Sequence, residues 1–329
     1  EKCEIIFVDD ASTDDCFEII KNYKSENLKL LSLEKNSGPS AARNLGLKNA
    51  VGEFVFFIDV DDSIERDTLT KLYSAAIKNS CDYVCSDFKR IENSINQREN
   101  KFNYSEHKVF EKKDIMDAMQ RELYDPSLGH LGLFGCNGRL IKRSLLVDNK
   151  IFFDESLWWT EDRAFSWDVL GVVKNARYIK EQLYSYYVYP NVKTLVIKGL
   201  EKSTPMKTVK SIMNHVKNGL DKKGFSQEIK TKLSRQAIIF HTIQFLVSIS
   251  RSIVLKKIDK KDGKILRRKF IYEILNDREV KNSIPYYVPS LKESRWIPKA
   301  INFGSRFLVE IACDMRASQV VQGRRVGSE

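Results

Sequence analysis

The chain has 329 residues, of which 42% are hydrophobic and 30% charged, and its formal net charge is +11 at pH 7. A chain of this length can bury a substantial core and can form two domains. It contains no uninterrupted apolar run long enough to span a bilayer, and its six cysteines show neither zinc-site Cys-x-x-Cys pairs nor the density of a disulfide scaffold. The composition therefore favours a soluble protein with free thiols in a reducing compartment.

The excess positive charge belongs to the C-terminal part alone. From position 200 onward there are 27 Lys and Arg residues against 12 Asp and Glu residues, whereas acidic residues outnumber basic ones before it. A basic surface attracts anionic partners such as nucleic acids or lipid headgroups. Because no recognised nucleic-acid-binding motif accompanies the charge, we predict that nucleic acid is not a partner.

The chain begins with a predicted strand, acidic turn and helix. Residues 3–8 are apolar, residues 9–14 are rich in helix-capping residue types, and residues 16–23 show apolar positions at helical spacing. A second strand over residues 28–33 leads to a loop at Gly38, after which small residues would let a helix pack closely against the sheet.

The third predicted strand, residues 54–58, ends in the carboxylates Asp59, Asp61 and Asp62. In an open α/β sheet the carboxyl ends of the strands open onto the ligand crevice. Closely packed carboxylates repel one another, and a hard cation such as Mg²⁺ or Mn²⁺ relieves that repulsion. The alternative is a plain acidic turn, since isolated Asp-x-Asp triplets are common.

The β-α-β-α-β order of these elements predicts an α/β fold with a mostly parallel sheet and crossover helices. In such a sheet the turn at Asp9 and Asp10 and the turn at residues 59–62 lie at the same edge. Two acidic strand ends at one crevice are harder to explain as plain turns than one.

Four segments together resemble family 2 glycosyltransferases, which have the GT-A nucleotide-sugar fold. They are residues 8–14 (VDDASTD), 36–46 (NSGPSAARNLG), 57–62 (FIDVDD) and 157–165 (LWWTEDRAF). Residues 137–146 also resemble the branch that builds bacterial surface polysaccharides. The resemblance predicts a GT-A domain over residues 1–198, followed by a basic, mainly helical region over residues 199–329.

The chain departs from the family pattern in two places. The family normally has one more strand and helix before the strand at residue 3, so we expect that this unit is missing and that the GT-A domain is truncated at its N-terminus. The family also often has Arg or His followed by Ser and Thr after the last strand. Here residues 190–194 read PNVKT, which leaves Lys193 as the predicted phosphate contact.

The resemblance implies roles for individual residues in binding a nucleotide-sugar, most simply a UDP-sugar. Asp10, with Asp9 beside it, would hydrogen-bond uracil, and Asp59 would face the ribose and the sugar. Asp61, together with Asp59, would hold the Mn²⁺ or Mg²⁺ that bridges the diphosphate. The full set of nucleotide-sugar-binding residues implied in this way is Asp9, Asp10, Ser12, Arg43, Asp59 and Lys193.

The resemblance also implies that Asp162 is the general base and that Glu161 assists it. Displacing UDP builds negative charge on the diphosphate, which a metal stabilises, and the attacking hydroxyl needs a proton acceptor. The resemblance implies inversion by a single in-line displacement, for which one base and one metal suffice. Taken alone, Glu161 and Asp162 could be a solvated helix start. Trp158 and Trp159 could belong to the core or form a platform for a sugar ring.

The C-terminal region shows helical periodicity over residues 206–220 and 229–255. Residues 237–255 are strongly apolar, but their polar side chains suit a helix buried in a bundle better than a membrane span. Residues 256–271 interleave Lys and Arg with apolar residues. Such a basic amphipathic surface could dock on anionic lipid or could simply be a solvated face.

The resemblance implies a metal-dependent inverting hexosyl- or N-acetylhexosaminyltransferase. Its acceptor would be a glycan or lipid-linked glycan in the synthesis of bacterial capsule, exopolysaccharide, lipopolysaccharide or teichoic acid. It would act in the cytoplasm, and its basic region suggests peripheral contact with the inner face of the cytoplasmic membrane. Two alternatives are a nucleotidyltransferase of similar α/β fold, although no glycine-rich, basic phosphate loop is present, and an inactive glycosyltransferase fragment that acts as a binding module.

Overall fold

The computed structural model describes residues 3–23, 25–92, 96–100, 108–124, 133–188, 203–289 and 294–326. Lys193, the predicted phosphate contact, lies outside the described residues. The chain divides into two compact units: Glu1–Asp117 with Gly129–Pro190, and Ala118–Leu128 with Asn191–Glu329. Each unit thus consists of two chain segments, and the helix Lys112–Tyr124 begins in the first unit and ends in the second.

The first unit alternates strands and helices, and the β-α-β-α-β order predicted for residues 3–58 is confirmed. Its elements are β1 (Ile5–Asp9), α1 (Cys16–Asn22), β2 (Leu28–Ser32), α2 (Pro39–Asn49), β3 (Phe54–Phe56), β4 (Ser63–Ile64), α3 (Thr68–Lys78), β5 (Tyr83–Glu92), β6 (Asn96–Asn100), β7 (Lys108–Phe110), α4 (Lys112–Tyr124), β8 (Arg139–Lys142), α5 (Arg143–Asp148), α6 (Glu161–Val172) and β9 (Ala176–Val188).

The sheet is mixed, so the prediction of a mostly parallel sheet is wrong. β1 and β2 form a parallel two-stranded sheet, while the other seven strands form a second sheet with the path β3-β8-β5-β9-β4. In that sheet β5 and β9 run parallel, and the other pairings are antiparallel. The physical reason is that β8, which comes from far along the chain, lies between β3 and β5 and runs against both of them.

One hydrophobic cluster of the first unit lies between α3 and the second sheet. Leu72 and Ala76 on α3 pack against Val84 of β5 and against the strands β8 and β9. Burying a leucine side chain contributes about 1.5–3 kcal/mol. This packing fixes β9, which later supplies two tyrosines to the candidate site.

Helix α2 packs closely on β1, as its small residues predicted. Gly38 at its start has φ +90°, and Pro39 follows at a position where a helix needs no N–H donor. Ala41 is buried, and a Cβ on Gly46 would lie only 3.6 Å from a methyl group of Val8. The close approach brings the first turn of α2 next to the acidic end of β1.

The second unit is helical, and the two helices predicted from periodicity are confirmed with ends shifted by a few residues. Besides the last residues of α4, it contains α7 (Pro205–Lys223), α8 (Gln227–Val254), α9 (Lys260–Asn276), α10 (Arg278–Ser283), a 3₁₀ turn (Ile284–Tyr286), α11 (Trp296–Phe303) and α12 (Arg306–Val326). Helix α8 lies at its centre, with α7, α9 and α12 packed around it.

Helix α8 is long and apolar enough to cross a membrane by length and composition, but 67% of its most apolar window is buried inside the protein. Phe240, Phe245 and Leu246 are each at most 2% exposed. This agrees with the predicted bundle helix. One polar residue in its buried stretch, Gln236, is fully hydrogen-bonded: its amide donates to the carbonyls of Leu123 and Val288 and accepts from the Val288 N–H.

We expect Gln236→Leu to destabilise the second unit by about 2–3 kcal/mol, because it leaves three buried backbone groups without partners. The measurement is urea denaturation of the full chain followed by circular dichroism. Gln227→Leu, at the exposed start of the same helix, is the matched control and should change the midpoint little. Equal midpoints for the two variants would contradict the structural role of Gln236.

Candidate active site

The candidate site is organised around a largely buried arginine on α2. Arg43 Nη2 donates to Asp59 Oδ1 at 2.7 Å, and its Nη1 donates to Glu161 Oε1 at 3.1 Å. Its side chain is only 12% exposed. The acidic turn after β3 and the start of α6, which are far apart in the sequence, therefore meet at one cation.

The two acidic partners of Arg43 favour its charged form. Burial alone would lower the pKa of Arg43, but the surrounding acidic groups, which include the carboxylates of Asp59 and Glu161, hold the pKa above its usual value. For Glu161 burial is the main cause of a raised pKa, the nearby Asp162 adds to it, and Arg43 offsets it only in part. A carboxyl group with a raised pKa next to a second acid is typical of sites that transfer protons.

Three carboxylates in the turn after β3 form a candidate metal centre. Asp59, Asp61 and Asp62 each offer one oxygen, and these oxygens lie within 4.8 Å of one another. The turn is closed by the Asp62 N–H, which donates to the Asp59 carbonyl at 3.0 Å. An all-oxygen set of carboxylates is the donor type that Mg²⁺ and Mn²⁺ prefer, so the residues fit a hard divalent cation.

Two of these carboxylates are held by other side chains. Asp59 Oδ2 accepts from the Asn137 amide at 2.6 Å, and Asp62 Oδ2 accepts from the Tyr184 hydroxyl at 2.5 Å. Burial raises the pKa of Asp62 to about 6, although hydrogen bonds from Tyr184 and the Tyr187 N–H lower it. Asp61 is exposed and is thus the carboxylate most open to a ligand from solvent.

The sequence did not assign roles to Asn137 and Tyr184. A Cβ on Gly138, which has φ +70°, would meet the Tyr184 ring at 3.0 Å, so the ring lies directly on that glycine. This contact brings Asn137 and Tyr184 to the same acidic turn. The only signals in the sequence were an asparagine before a glycine and a tyrosine-rich strand, and neither shows which acid the side chains would hold.

Asp10 fastens the loop that precedes α2. Its two carboxylate oxygens accept from the N–H groups of Ser37, at 2.7 Å, and Gly38, at 2.8 Å. The Trp158 ring covers this loop, since a Cβ on Gly38 would lie 3.1 Å from it. In this conformation Asp10 holds the loop, and its contact with uracil stays a prediction.

Asp9 has one carboxylate oxygen available. Asp9 is only 5% exposed, and its Oδ2 accepts a hydrogen bond from the Ser12 N–H at 3.1 Å. Oδ1 is buried and has no hydrogen-bond partner within the described part of the chain. A buried acceptor without a partner costs about 1–3 kcal/mol, so a donor from a ligand would be favourable there.

Asp162 lies in the first turn of α6 and is partly exposed. Its Oδ1 accepts from the Arg163 N–H at 2.7 Å, and its charge raises the pKa of Glu161. The Ser166 hydroxyl donates to the Asp162 carbonyl and accepts from the Gly135 N–H. The start of α6 is therefore tied to the segment that carries Asn137.

The chain is similar over part of its length to several bacterial glycosyltransferases. It is 29% identical over 186 residues to poly(ribitol-phosphate) beta-N-acetylglucosaminyltransferase TarS of Staphylococcus aureus strain Mu50, covering 56% of this chain and 30% of TarS. It is 31% identical over 191 residues to poly(ribitol-phosphate) beta-glucosyltransferase of Bacillus spizizenii strain W23, covering 57% of this chain and 28% of that protein. The matched part thus spans less than a third of the length of these two relatives.

The fold matches that of a solved structure over almost the whole chain. Residues 1–349 of S. aureus TarS, crystallised with UDP-GlcNAc, superpose with a TM-score of 0.66 at 20% sequence identity, covering 98% of this chain and 83% of that chain. This likeness confirms the α/β GT-A-like fold with a helical C-terminal region. Residues 1–144 match the family described as Glycosyl transferase family 2. The resemblance found in the sequence is thereby confirmed over residues 1–144, which match a glycosyl transferase family 2 domain.

Proposed function

We propose that this protein is a metal-dependent inverting glycosyltransferase that moves a sugar from a UDP-sugar to a hydroxyl group of a bacterial surface polymer. The observation that carries the proposal is that Arg43 hydrogen-bonds both Asp59 and Glu161. Asp59 belongs to the same carboxylate group as Asp61 and Asp62, within the part of the chain that matches family 2. The relatives that act on poly(ribitol phosphate) favour a teichoic-acid type of acceptor. TarS, whose crystals contain UDP-GlcNAc, makes that sugar the first donor to test.

In this proposal Asp61 and Asp59 hold a Mn²⁺ or Mg²⁺ ion, supported by Asp62. Such an ion stabilises the negative charge that develops on the departing diphosphate. Asn137 and Tyr184 fix the directions of Asp59 and Asp62, which reduces the rearrangement needed when the ion binds. Lys193 is the proposed additional contact to the diphosphate.

Asp162 takes the proton of the attacking hydroxyl. Glu161 is engaged with Arg43, so its carboxylate orients the arginine that holds Asp59, and Asp162 next to it is the partly exposed acid. A positioned carboxylate base contributes about 10²–10⁴-fold to the rate. The two neighbouring acids thereby have different tasks, one in positioning and one in proton transfer.

Asp9 is the residue we propose for recognition of the uracil. Its unpartnered Oδ1 is a buried acceptor, and the N–H between the two carbonyls of uracil is a donor of the required kind. Asp10 and Ser12 shape the surrounding loop, because Asp10 fastens residues 37 and 38 and the Ser12 N–H holds the other Asp9 oxygen. We place the reaction in the cytoplasm, where nucleotide-sugars are made.

The first test is donor binding. We expect UDP-GlcNAc with Mn²⁺ to raise the melting temperature of the chain, and Asp61→Asn to abolish most of that increase because the cation loses its exposed ligand. Asp148→Asn, an exposed carboxylate at the end of α5, is the control and should retain the increase. Stabilisation by nucleoside triphosphates but not by UDP-sugars would instead favour a nucleotidyltransferase. Stabilisation by the donor without turnover would favour the inactive binding module.

The second test separates the two acids of α6 by the release of UDP in the presence of poly(ribitol phosphate). Asp162→Asn should lower kcat about 100-fold or more with little change in the donor KM, since it removes the proton acceptor. Glu161→Gln should weaken the Arg43 contact and affect both kcat and KM. A fully active Asp162→Asn enzyme would contradict the assignment of the base.

The third test concerns the nucleobase. Asp9→Asn should weaken UDP binding about tenfold, measured by calorimetry, because a charged acceptor for the imide N–H is lost. Asp15→Asn, which changes an exposed acid just before α1, is the matched control. If Asp9→Asn leaves UDP affinity unchanged while Asp10→Asn removes it, the base contact belongs to Asp10.

A further inference from the structure

The helices α11 and α12 of the second unit expose a group of large apolar side chains, which we call the apolar face. Its members are Trp296, Phe303, Phe307, Leu308, Ile311 and Met315, and their exposed fractions range from 40% to 77%. Several large apolar side chains left exposed on two consecutive helices are a feature typical of surfaces that bind a partner.

The spacing of these residues places them on one side of each helix. Phe307, Ile311 and Met315 recur every four residues along α12, while Val309 and Cys313 on its other side are fully buried. The helix therefore uses one stripe for the core of the unit and leaves a second stripe uncovered. Gly304, with φ +77°, ends α11 and allows the turn that joins the two helices.

Positively charged residues border the apolar face on the side of α9. The Arg268 Nε donates to Glu310 Oε1 at 3.1 Å, which shows that α9 and α12 lie side by side. The outer surface of α9 also exposes Ile265, Lys269 and Tyr272. Residues 256–276 contain eight Lys and Arg residues against three acids.

The acids between α9 and α12 are already compensated. Glu310 pairs with Arg268, and Asp314 receives two hydrogen bonds from the buried Arg267, the shorter at 2.5 Å. On α11, the Lys299 ammonium lies 5.2 Å above the Trp296 ring. The charge left for a partner at this surface is therefore positive, next to aromatic and aliphatic side chains.

We propose that this surface docks on a bilayer that contains anionic phospholipid. The apolar face would enter the boundary between headgroups and acyl chains, and the basic residues of α9 would lie over the headgroups. Trp and Phe beside Lys and Arg are suited to this boundary, where one part of the surface is apolar and another is wet. The inference is independent of the proposed transferase activity, because its residues belong to the second unit and include none of the candidate active site.

Charge favours lipid over a second copy of the chain as the occupant. Two copies meeting through this surface would bring two sets of lysines and arginines together, and lysine is depleted in protein interfaces. An anionic bilayer supplies both the opposite charge and an apolar layer. An anionic bilayer can therefore contact the basic residues and the apolar face at the same time.

The test is co-sedimentation of the full chain with vesicles of phosphatidylglycerol and phosphatidylcholine, compared with phosphatidylcholine alone. We expect binding to the anionic vesicles that weakens as salt is added. The double variant Phe307→Ser and Ile311→Ser should reduce affinity at least about tenfold. The control Ile19→Ser with Tyr23→Ser, two exposed residues near α1, should bind like the parent.

A second measurement keeps the apolar face apolar and follows its tryptophan. Brominated phosphatidylglycerol should quench the fluorescence of the parent chain more than that of Trp296→Phe, because Trp296 would reach the acyl boundary. Absence of binding to anionic vesicles at low salt, equal binding of the double variant, or equal binding to phosphatidylcholine alone would overturn the proposal. So would a dimer in sedimentation velocity that the double variant abolishes while vesicle binding is unaffected.

Discussion

The pairing of Arg43 with two carboxylates is the interaction on which the candidate site depends. A buried cation is tolerated only when opposite charges compensate it, and here Asp59 and Glu161 do so from two different segments of the chain. The guanidinium plane presents several N–H donors in a fixed geometry, so it can bind both acids at once. The turn after β3 and the first turn of α6 are thereby held at a defined separation.

Helix α2 contributes a second anchor immediately after the arginine. The Asn44 amide donates to the Phe153 carbonyl at 2.9 Å and accepts from the Phe153 N–H at 2.8 Å. The Phe153 ring stacks on Phe165 of α6 with centroids 4.0 Å apart, and Arg43 lies over the same ring. Two consecutive residues of one helix thus hold both the segment before α6 and the acid at its start.

The second unit pairs buried polar and charged side chains with hydrogen-bond or charge partners. Its central helix α8 is apolar enough to need burial, and Gln236 within it is acceptable because each of its amide groups meets a backbone partner. The buried Arg267 is compensated by Asp314, whereas Lys261, Arg268 and Lys269 of α9 are exposed. The positive charge that remains uncompensated in this region therefore lies on exposed residues of α9, beside the apolar face.

The sequence by itself determined the order of the first five elements, the acidic turn with Asp59 and Asp61, and the resemblance of residues 1–144 to family 2 glycosyltransferases, because periodicity and contiguous motifs are local properties of a chain. Only the tertiary structure decided that β8 lies between β3 and β5 and makes the sheet mixed. Likewise it decided that Glu161 meets Arg43 and that Tyr184 holds Asp62. Such contacts join residues far apart in sequence, and local spacing carries no information about which distant side chain will supply the partner.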